Sequence, residues 1–176
     1  MSKYKLNEDL SDELKFERLE RKPPIHLWSP NLSGDIDILI KRDGSWWHDG
    51  AKINRKPLVK FFAGLLRREV DGEYYLVTPE EKWRITVELL PLMVIGLKKS
   101  NCSRVPCLNA VLNTDEIVPI NSRYKIQQSV GTGGIASIVL WNGLSGFFNR
   151  SSWYELVNLC DDNFFIHSYG ERFKLY

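Results

Sequence analysis

A twelve-residue strand pattern that occurs twice constrains the fold of this chain more than any other feature. Residues 74–85 read YYLVTPEEKWRI, and residues 164–175 read FFIHSYGERFKL. Aligned without a gap, nine of the twelve positions match in chemical type. Each copy has two short runs of strand-forming residues around a turn, so each copy predicts a β-hairpin. A repeat of this kind indicates a duplicated structural unit.

Each repeated hairpin closes a longer cassette of hairpin, helix and hairpin. Asp43-Gly44 is typical of the two-residue turn that opens the first cassette. Apolar side chains then recur at helical spacing over residues 56–70, where we predict one helix. An Asn-Arg pair precedes this helix at Asn54-Arg55 and recurs at Asn149-Arg150, before a second helix that we expect Ser151 or Ser152 to cap.

This order of elements predicts an α+β fold with a mainly antiparallel sheet and a duplicated hairpin-helix-hairpin cassette. A helix and a hairpin each have one apolar side that neither can bury alone, so each cassette is expected to fold helix onto sheet. We predict a charged N-terminal helix over residues 1–22 and a first domain over 23–90. A second domain over 91–176 adds a β-meander to the second cassette. Clefts between such units are preferred places for ligands.

The composition excludes few partners. The net charge of +2 neither requires nor excludes nucleic acid. The three cysteines lack a zinc-binding or redox spacing, and we expect them to be thiols. The charged N-terminus has no features of a signal peptide. The longest apolar run, residues 89–97, is shorter than the ~20 residues that cross a bilayer. We therefore predict a cytoplasmic protein without a membrane partner; its oligomeric state is not predicted.

No group of residues in the sequence predicts catalysis. His26, His48 and His167 are scattered, and no hydrolase or metalloprotease motif is present. Asp35 and Asp37 lie on one face of a predicted strand, where they could share a proton or hold a metal, but no spacing supplies further ligands. We predict no catalytic residue, no metal and no cofactor. An enzyme that uses Asp35, Asp37 or His26 is the open alternative to a non-enzyme.

Basic residues are concentrated in residues 52–68, which contain six of them and no acid. On the predicted helix, Lys56, Lys60 and Arg67 share the face opposite the apolar stripe. Such a face is either simply solvated or contacts an anion or nucleic acid.

Two further basic pairs occupy matching positions of the repeated hairpins. They are Lys82/Arg84 in the first copy and Arg172/Lys174 in the second. Each pair alternates with apolar residues, so each marks the polar face of a strand. Two such faces beside one cleft would suit a phosphate or carboxylate; the alternative is two solvated strand faces.

Four short motifs and Arg55 carry a family resemblance. The motifs are PPIHLW from residue 23, GDID from 34, DGSW from 43 and LVTPxEKxRI from 76. Together they resemble the bacterial family called domain of unknown function 1285 (DUF1285). The resemblance implies a duplicated core, a C-terminal half similar to pleckstrin-homology-like barrels, and a ligand site between the halves. The positions that match its motifs are the candidate ligand-binding residues: His26, Trp28, Asp35, Asp37, Arg55, Thr78, Glu81 and Arg84.

The sequence thus predicts a non-enzymatic ligand-binding or sensor module. Its ligand is expected to be small and anionic or nucleotide-like, to lie between the two halves, and to serve in signal transduction, as the resemblance implies. The alternative is a nucleic-acid-binding regulatory protein that uses the basic helix face of residues 52–68. Because only the first hairpin carries Thr78-Pro79, we expect the first repeat to hold the site and the second to complete the scaffold.

Overall fold

A computed structural model describes residues 23–102, 105–128 and 135–175. Within these ranges the chain forms two six-stranded sheets, one two-stranded sheet and two α-helices. The predicted α+β class is confirmed. The predicted N-terminal helix over residues 1–22 lies outside the described residues. No helix in the described ranges is both long enough and apolar enough to cross a membrane.

The first half forms one mixed sheet and one α-helix. Its strands are β1 Leu32–Ile40, β2 Trp46–His48, β3 Ala51–Lys52, β4 Leu66–Arg68, β5 Tyr74–Val77 and β6 Lys82–Val87. They lie in the order β3-β2-β1-β6-β5-β4. Only the central pair, β1 and β6, is parallel. Helix α1, Lys56–Gly64, connects β3 to β4, and a 3-10 turn at Ile25–Leu27 precedes β1.

The second half repeats the mixed arrangement and adds a separate hairpin. Its sheet contains β7 Leu92–Cys102, β8 Val105–Leu112, β9 Ile117–Pro119, β10 Ile126–Gln128, β11 Ala136–Val139 and β12 Ser145–Phe148. They lie in the order β10-β11-β12-β7-β8-β9, with β12 parallel to β7. Helix α2, Arg150–Val157, leads to the hairpin of β13 Phe165–Ser168 and β14 Glu171–Lys174. One of the two large sheets curls into a half-barrel.

The two repeated hairpins have the same register. Tyr75 pairs with Arg84 in the first, and Phe165 pairs with Lys174 at the aligned positions of the second. Their surroundings differ, since β5 and β6 belong to a six-stranded sheet whereas β13 and β14 pair only with each other. The second hairpin docks on β8 instead, where the buried Ser168 hydroxyl accepts a hydrogen bond from Leu108 N at 2.9 Å.

The first helix is shorter than the sequence predicts. It ends at Gly64, and the residues that continue its apolar spacing form strand β4 instead. Leu66 pairs with Leu76 on β5 and is fully buried. Glycine weakens a helix at this point, and the edge of β5 provides backbone partners that a longer helix would leave unused. The prediction of one helix over residues 56–70 is therefore wrong for residues 65–70.

The second helix is capped by Asn149 and not by Ser151 or Ser152, the residues that the sequence predicts. Its N-cap is Asn149, whose side-chain oxygen accepts a hydrogen bond from Ser152 N at 2.8 Å. The Ser152 hydroxyl instead donates to Val94 O at 2.8 Å and is buried against β7. Cys160 is a free thiol, as expected, whereas Cys107 is disulfide-bonded, contrary to expectation.

The two halves share one hydrophobic core. Its buried members come from both large sheets and from both helices. Polar contacts reinforce the junction: Arg68 N donates to Asn142 O at 3.0 Å, and Asn113 Nδ2 donates to Gly44 O at 3.4 Å. The two halves are therefore joined both by apolar packing and by hydrogen bonds.

Candidate functional site in the first half

A row of polar side chains crosses the first sheet on the face opposite the shared core. Asp35 on β1 pairs with Arg84 on β6, Arg84 pairs with Tyr75 on β5, and Tyr75 pairs with Arg67 on β4. Directly paired residues of neighbouring strands point to the same face. The pairing of β1 with β6 thus brings Asp35 and Arg84, which are 49 positions apart in the chain, side by side.

Asp35 and Arg84 form a bidentate ion pair. Arg84 Nε donates to Asp35 Oδ1 at 2.7 Å, and Arg84 Nη2 donates to Asp35 Oδ2 at 3.0 Å. The hydrogen bonds from Arg84 lower the pKa of Asp35, and those to Asp35 raise the pKa of Arg84. Both side chains are partly exposed, so a solute can reach the pair while both groups remain charged.

A bulge in β1 opens a cavity next to this ion pair. The β1–β6 pairing stops at Asp35 opposite Arg84 and resumes at Leu39 opposite Thr86. Three residues of β1 thus face one residue of β6, and the surplus bends β1 away from its neighbour. The resulting space of about 330 Å³ is called the bulge cavity below. It is lined by Asp35, Ile36, Gly72, Glu73, Tyr74, Arg84, Ile85, Thr86 and Val87.

Tyr74 is among the residues that line the bulge cavity, and its ring is part of the shared core. Burial raises the pKa of its phenol, which therefore stays protonated at neutral pH. The guanidinium carbon of Arg68 lies 5.5 Å from the ring centroid. The Tyr74 hydroxyl has no hydrogen-bond partner among the described residues. The residues that line the cavity thus include apolar ones, a tyrosine, an arginine and two acidic residues.

A second ionic network holds the segment that precedes β1. Arg67 Nη1 donates to the carbonyl oxygens of Ile25 and Trp28 at 2.8 and 2.7 Å. Arg67 Nη2 donates to Glu69, whose second oxygen accepts a hydrogen bond from Lys82 Nζ at 3.1 Å. The three charged side chains are each less than a quarter exposed. This network fixes the 3-10 turn on the sheet.

The stability contributed by Glu69 is expected to be lost in acid. Burial raises the pKa of its carboxyl, but hydrogen bonds from Arg67 and Lys82 outweigh burial and hold the pKa below its ordinary value. A group whose pKa is depressed by folding stabilises the protein above its unfolded pKa, here about 4.3, and loses that effect as pH falls through the folded pKa. In urea unfolding, the free energies of wild type and Glu69→Gln should differ most above pH 5, and the difference should shrink as the pH falls below the unfolded pKa of Glu69. A difference that stays constant down to pH 3 would contradict this assignment.

Six of the eight candidate ligand-binding residues lie outside the bulge cavity. Thr78 and Glu81 shape the β5–β6 turn, since Thr78 Oγ1 accepts a hydrogen bond from Glu81 N at 3.0 Å and Glu81 Oε2 accepts one from Trp83 Nε1 at 3.1 Å. Asp37 lies within the bulge with an exposed side chain, and its carbonyl oxygen is 2.9 Å from His48 Nδ1.

The other three of these six lie near the first-half helices. His26 is exposed in the 3-10 turn, and Trp28 is half-buried directly after it. Arg55 is the exposed N-cap residue of α1. Of the eight, only Asp35 and Arg84 are brought together at a cavity.

The basic helix face of residues 52–68 does not exist as predicted. Lys52 lies on β3 and Arg67 on β4, so only Lys56 and Lys60 belong to α1. Both lysines bind the same carboxylate in the other half, Asp115, at 2.7 and 2.8 Å. Arg67 is largely buried and directed at backbone carbonyls. These cations are therefore engaged within the protein.

The second basic pair does not border the same cavity as the first. Arg172 and Lys174 lie on the separate β13–β14 hairpin, and neither lines the bulge cavity. The Arg172 guanidinium lies 4.1 Å from the Phe165 ring centroid. Of the two alternatives for these pairs, two basic strand faces beside one cleft is therefore not found at the bulge cavity.

The wall of the bulge cavity contains residues that the sequence did not indicate. Glu73, Tyr74 and Thr86 line it, yet the sequence marks Tyr74 only as a strand residue and Thr86 not at all. Ile36 and Ile38 alternate with Asp35 and Asp37 as in a regular strand. The alternation therefore contains no signal for a bulge.

Comparison with known proteins agrees with the motifs. Residues 23–89 match the family described as domain of unknown function (DUF1285), N-terminal domain. A DUF1285 family protein from Silicibacter pomeroyi DSS-3 is 29% identical, with a TM-score of 0.76 over 91% of this chain and 93% of that chain. The family model and the solved structures support a DUF1285 assignment for this chain. A second DUF1285 protein, from Shewanella baltica OS155, is 25% identical, with a TM-score of 0.57 over 69% of this chain and 90% of that chain.

The domain that matches the family model contains the whole bulge cavity. The lining residues extend from Asp35 to Val87, inside the matched range of 23–89. None of the curated proteins matches the chain. The function must therefore be argued from the site itself.

Proposed function

We propose that this protein is a non-enzymatic ligand-binding or sensor module that holds a small anionic or nucleotide-like ligand in the bulge cavity. The bidentate Arg84–Asp35 pair beside that cavity carries the proposal. A guanidinium that already holds one carboxylate by its fork presents the geometry that also recognises another carboxylate or a phosphate. An incoming anion would exchange with Asp35 at Arg84.

The dimensions and chemistry of the cavity support a small ligand. A space of about 330 Å³ lies near the lower end of the ~300–1,000 Å³ typical of ligand pockets. Tyr74, Ile36 and Ile85 also line the cavity and limit its size. This places the proposed site within the first half, whereas the sequence-based expectation was a site between the halves.

A role in signal transduction is part of this proposal. A ligand that displaces Asp35 from Arg84 would act on β1 at the edge of its bulge. The bulge also contacts β2, because Asp37 O accepts a hydrogen bond from Asp49 N at 3.3 Å and lies 2.9 Å from His48 Nδ1. A change at the ion pair would thus be transmitted to the neighbouring hairpin.

The nucleic-acid alternative has less support. It depended on an open basic face over residues 52–68, and Lys56 and Lys60 are instead paired with Asp115. Binding to nucleic acid that weakens steeply with salt and is lost in a Lys56→Ala/Lys60→Ala variant would favour it over the small-ligand proposal.

Thermal shift measurements with a panel of small anions test the proposed site. The panel comprises inorganic phosphate, small carboxylates and nucleoside monophosphates. A ligand present at about 100 Kd adds about 2.7 kcal/mol, which should raise Tm by roughly 5–10 °C at this chain length. Arg84→Gln should abolish the shift, since it removes the fork that holds the anion.

Lys174→Gln is the matched control, because Lys174 occupies the position of Arg84 in the second repeat. It should leave the shift unchanged. Two results would count against the proposal: no shift with any member of the panel, or an equal shift in wild type and Arg84→Gln.

A further inference from the structure

The second half contains a cavity of its own, which shares no lining residue with the bulge cavity. Its volume is about 290 Å³, and it lies among the far end of the β7–β8 hairpin, strand β13 and the segment that follows α2. We propose that it is a second binding site, which takes the aliphatic chain of a short straight-chain monocarboxylate.

The walls of this cavity are mostly apolar. Pro106, Cys107, Leu108, Leu159 and Ile166 contribute to them. Leu108 and Ile166 are at most 4% exposed, so they form a floor rather than part of the open surface. Pockets that bind small molecules combine such walls with a few convergent polar groups.

The walls are held by contacts that do not require a ligand. Ser168 Oγ accepts a hydrogen bond from Leu108 N at 2.9 Å, and Tyr169 N donates to Pro106 O at 2.9 Å. These contacts fasten β13 to β8, and the disulfide of Cys107 restrains the same strand. A pre-formed apolar cavity loses less entropy on binding than one that must be assembled.

The charges around the cavity favour a single anionic group. Lys99 is exposed and has no ion-pair or hydrogen-bond partner among the described residues. His167 Nε2 lies 3.0 Å from Asp161 Oδ2, so that carboxylate already has a partner. Asp161 also accepts backbone hydrogen bonds from Asn163 and Phe165. The unpaired charge at the rim is thus the Lys99 ammonium, which complements a carboxylate at the end of an apolar chain.

Isothermal titration with butanoate, hexanoate, octanoate and decanoate tests this site. Each CH₂ that becomes buried is expected to increase affinity about fourfold, which corresponds to ~0.8 kcal/mol, until the cavity is filled. Octanoate should bind more tightly than octanol or octylamine. Affinity that does not depend on chain length, or octylamine that binds as tightly as octanoate, would overturn the proposal.

Three variants assign the binding to this cavity. Lys99→Gln should weaken octanoate binding by about two- to fivefold, as expected for an exposed charge pair, without changing octanol binding. Lys98→Gln is the matched control, because Lys98 is an exposed neighbour that does not line the cavity. Arg84→Gln should leave octanoate binding intact. Binding that is lost in Arg84→Gln but persists in Lys99→Gln would belong to the bulge cavity and would overturn the second site alone.

Discussion

Trp46→Ala is expected to lower the free energy of unfolding by about 3–5 kcal/mol. Trp46 lies on β2, is 1% exposed, and stacks on Phe62 of α1 with ring centroids 6.2 Å apart. Its ring therefore joins the first sheet to the helix that covers it. Truncation removes these contacts and leaves a void that the rigid sheet cannot fill. The measurement is equilibrium unfolding in urea, supported by a fall in Tm of about 2–4 °C per kcal/mol.

Trp46→Phe is the control that separates packing from hydrogen bonding. The Trp46 indole nitrogen is buried and has no hydrogen-bond partner among the described residues. Phe keeps an aromatic ring against Phe62 and removes an N–H whose burial is unfavourable. We expect a loss of less than about 1.5 kcal/mol. A Phe variant as unstable as the Ala variant would show that the indole N–H has a partner that stabilises the fold.

Gly143→Ala is expected to destabilise the protein by about 2–4 kcal/mol through the contact between its halves. Gly143 has φ of +74°, a conformation that costs an L-residue roughly 1 kcal/mol. A Cβ at this position would lie 2.8 Å from the carbonyl oxygen of Arg68, on β4 of the first half. Relief of that clash would stretch the bond from Arg68 N to Asn142 O, which adds roughly 1 kcal/mol.

Gly170→Ala is a closely matched control for this prediction. Gly170 also has φ of +74° and follows a residue with positive φ, as Gly143 does. A Cβ at Gly170 would meet nothing within 4 Å. We therefore expect only the conformational cost of roughly 1 kcal/mol. Urea unfolding of both variants isolates the clash as the difference between them. Equal losses of unfolding free energy in the two variants would contradict the prediction, because they would mean that the residues around Gly143 accommodate the new Cβ without destabilising the fold.

Local patterns were sufficient to predict the repeated hairpins. Both repeats were predicted to form hairpins, and the two hairpins share one register because the repeat aligns without a gap. A hairpin is set by neighbouring residues, so a single sequence contains the necessary information. Strand β4 pairs with residues of β5 that lie six to ten positions further along the chain, and helical spacing gave the wrong prediction for it.

The candidate site could be predicted only in part. The family motifs contain Asp35 and Arg84, and these two residues do meet at a cavity. The other six candidates lie elsewhere because a motif position can serve a turn or a cap as well as a ligand. Thr78 illustrates this, since its hydroxyl is used to close the β5–β6 turn.

The amino-acid sequence by itself determined the duplicated cassette, the α+β class and the turns of both repeats, because alternation, helical spacing and turn residues act between near neighbours. Only the tertiary structure decided that β1 runs parallel to β6 and that a bulge opens a cavity beside Arg84. The parallel pairing joins segments that are distant in the chain, and the bulge is a shift in the register of that pairing. Neither leaves a periodic trace in the sequence. The β5–β6 and β13–β14 hairpins likewise have different neighbours, because these contacts also join segments that are distant in the chain.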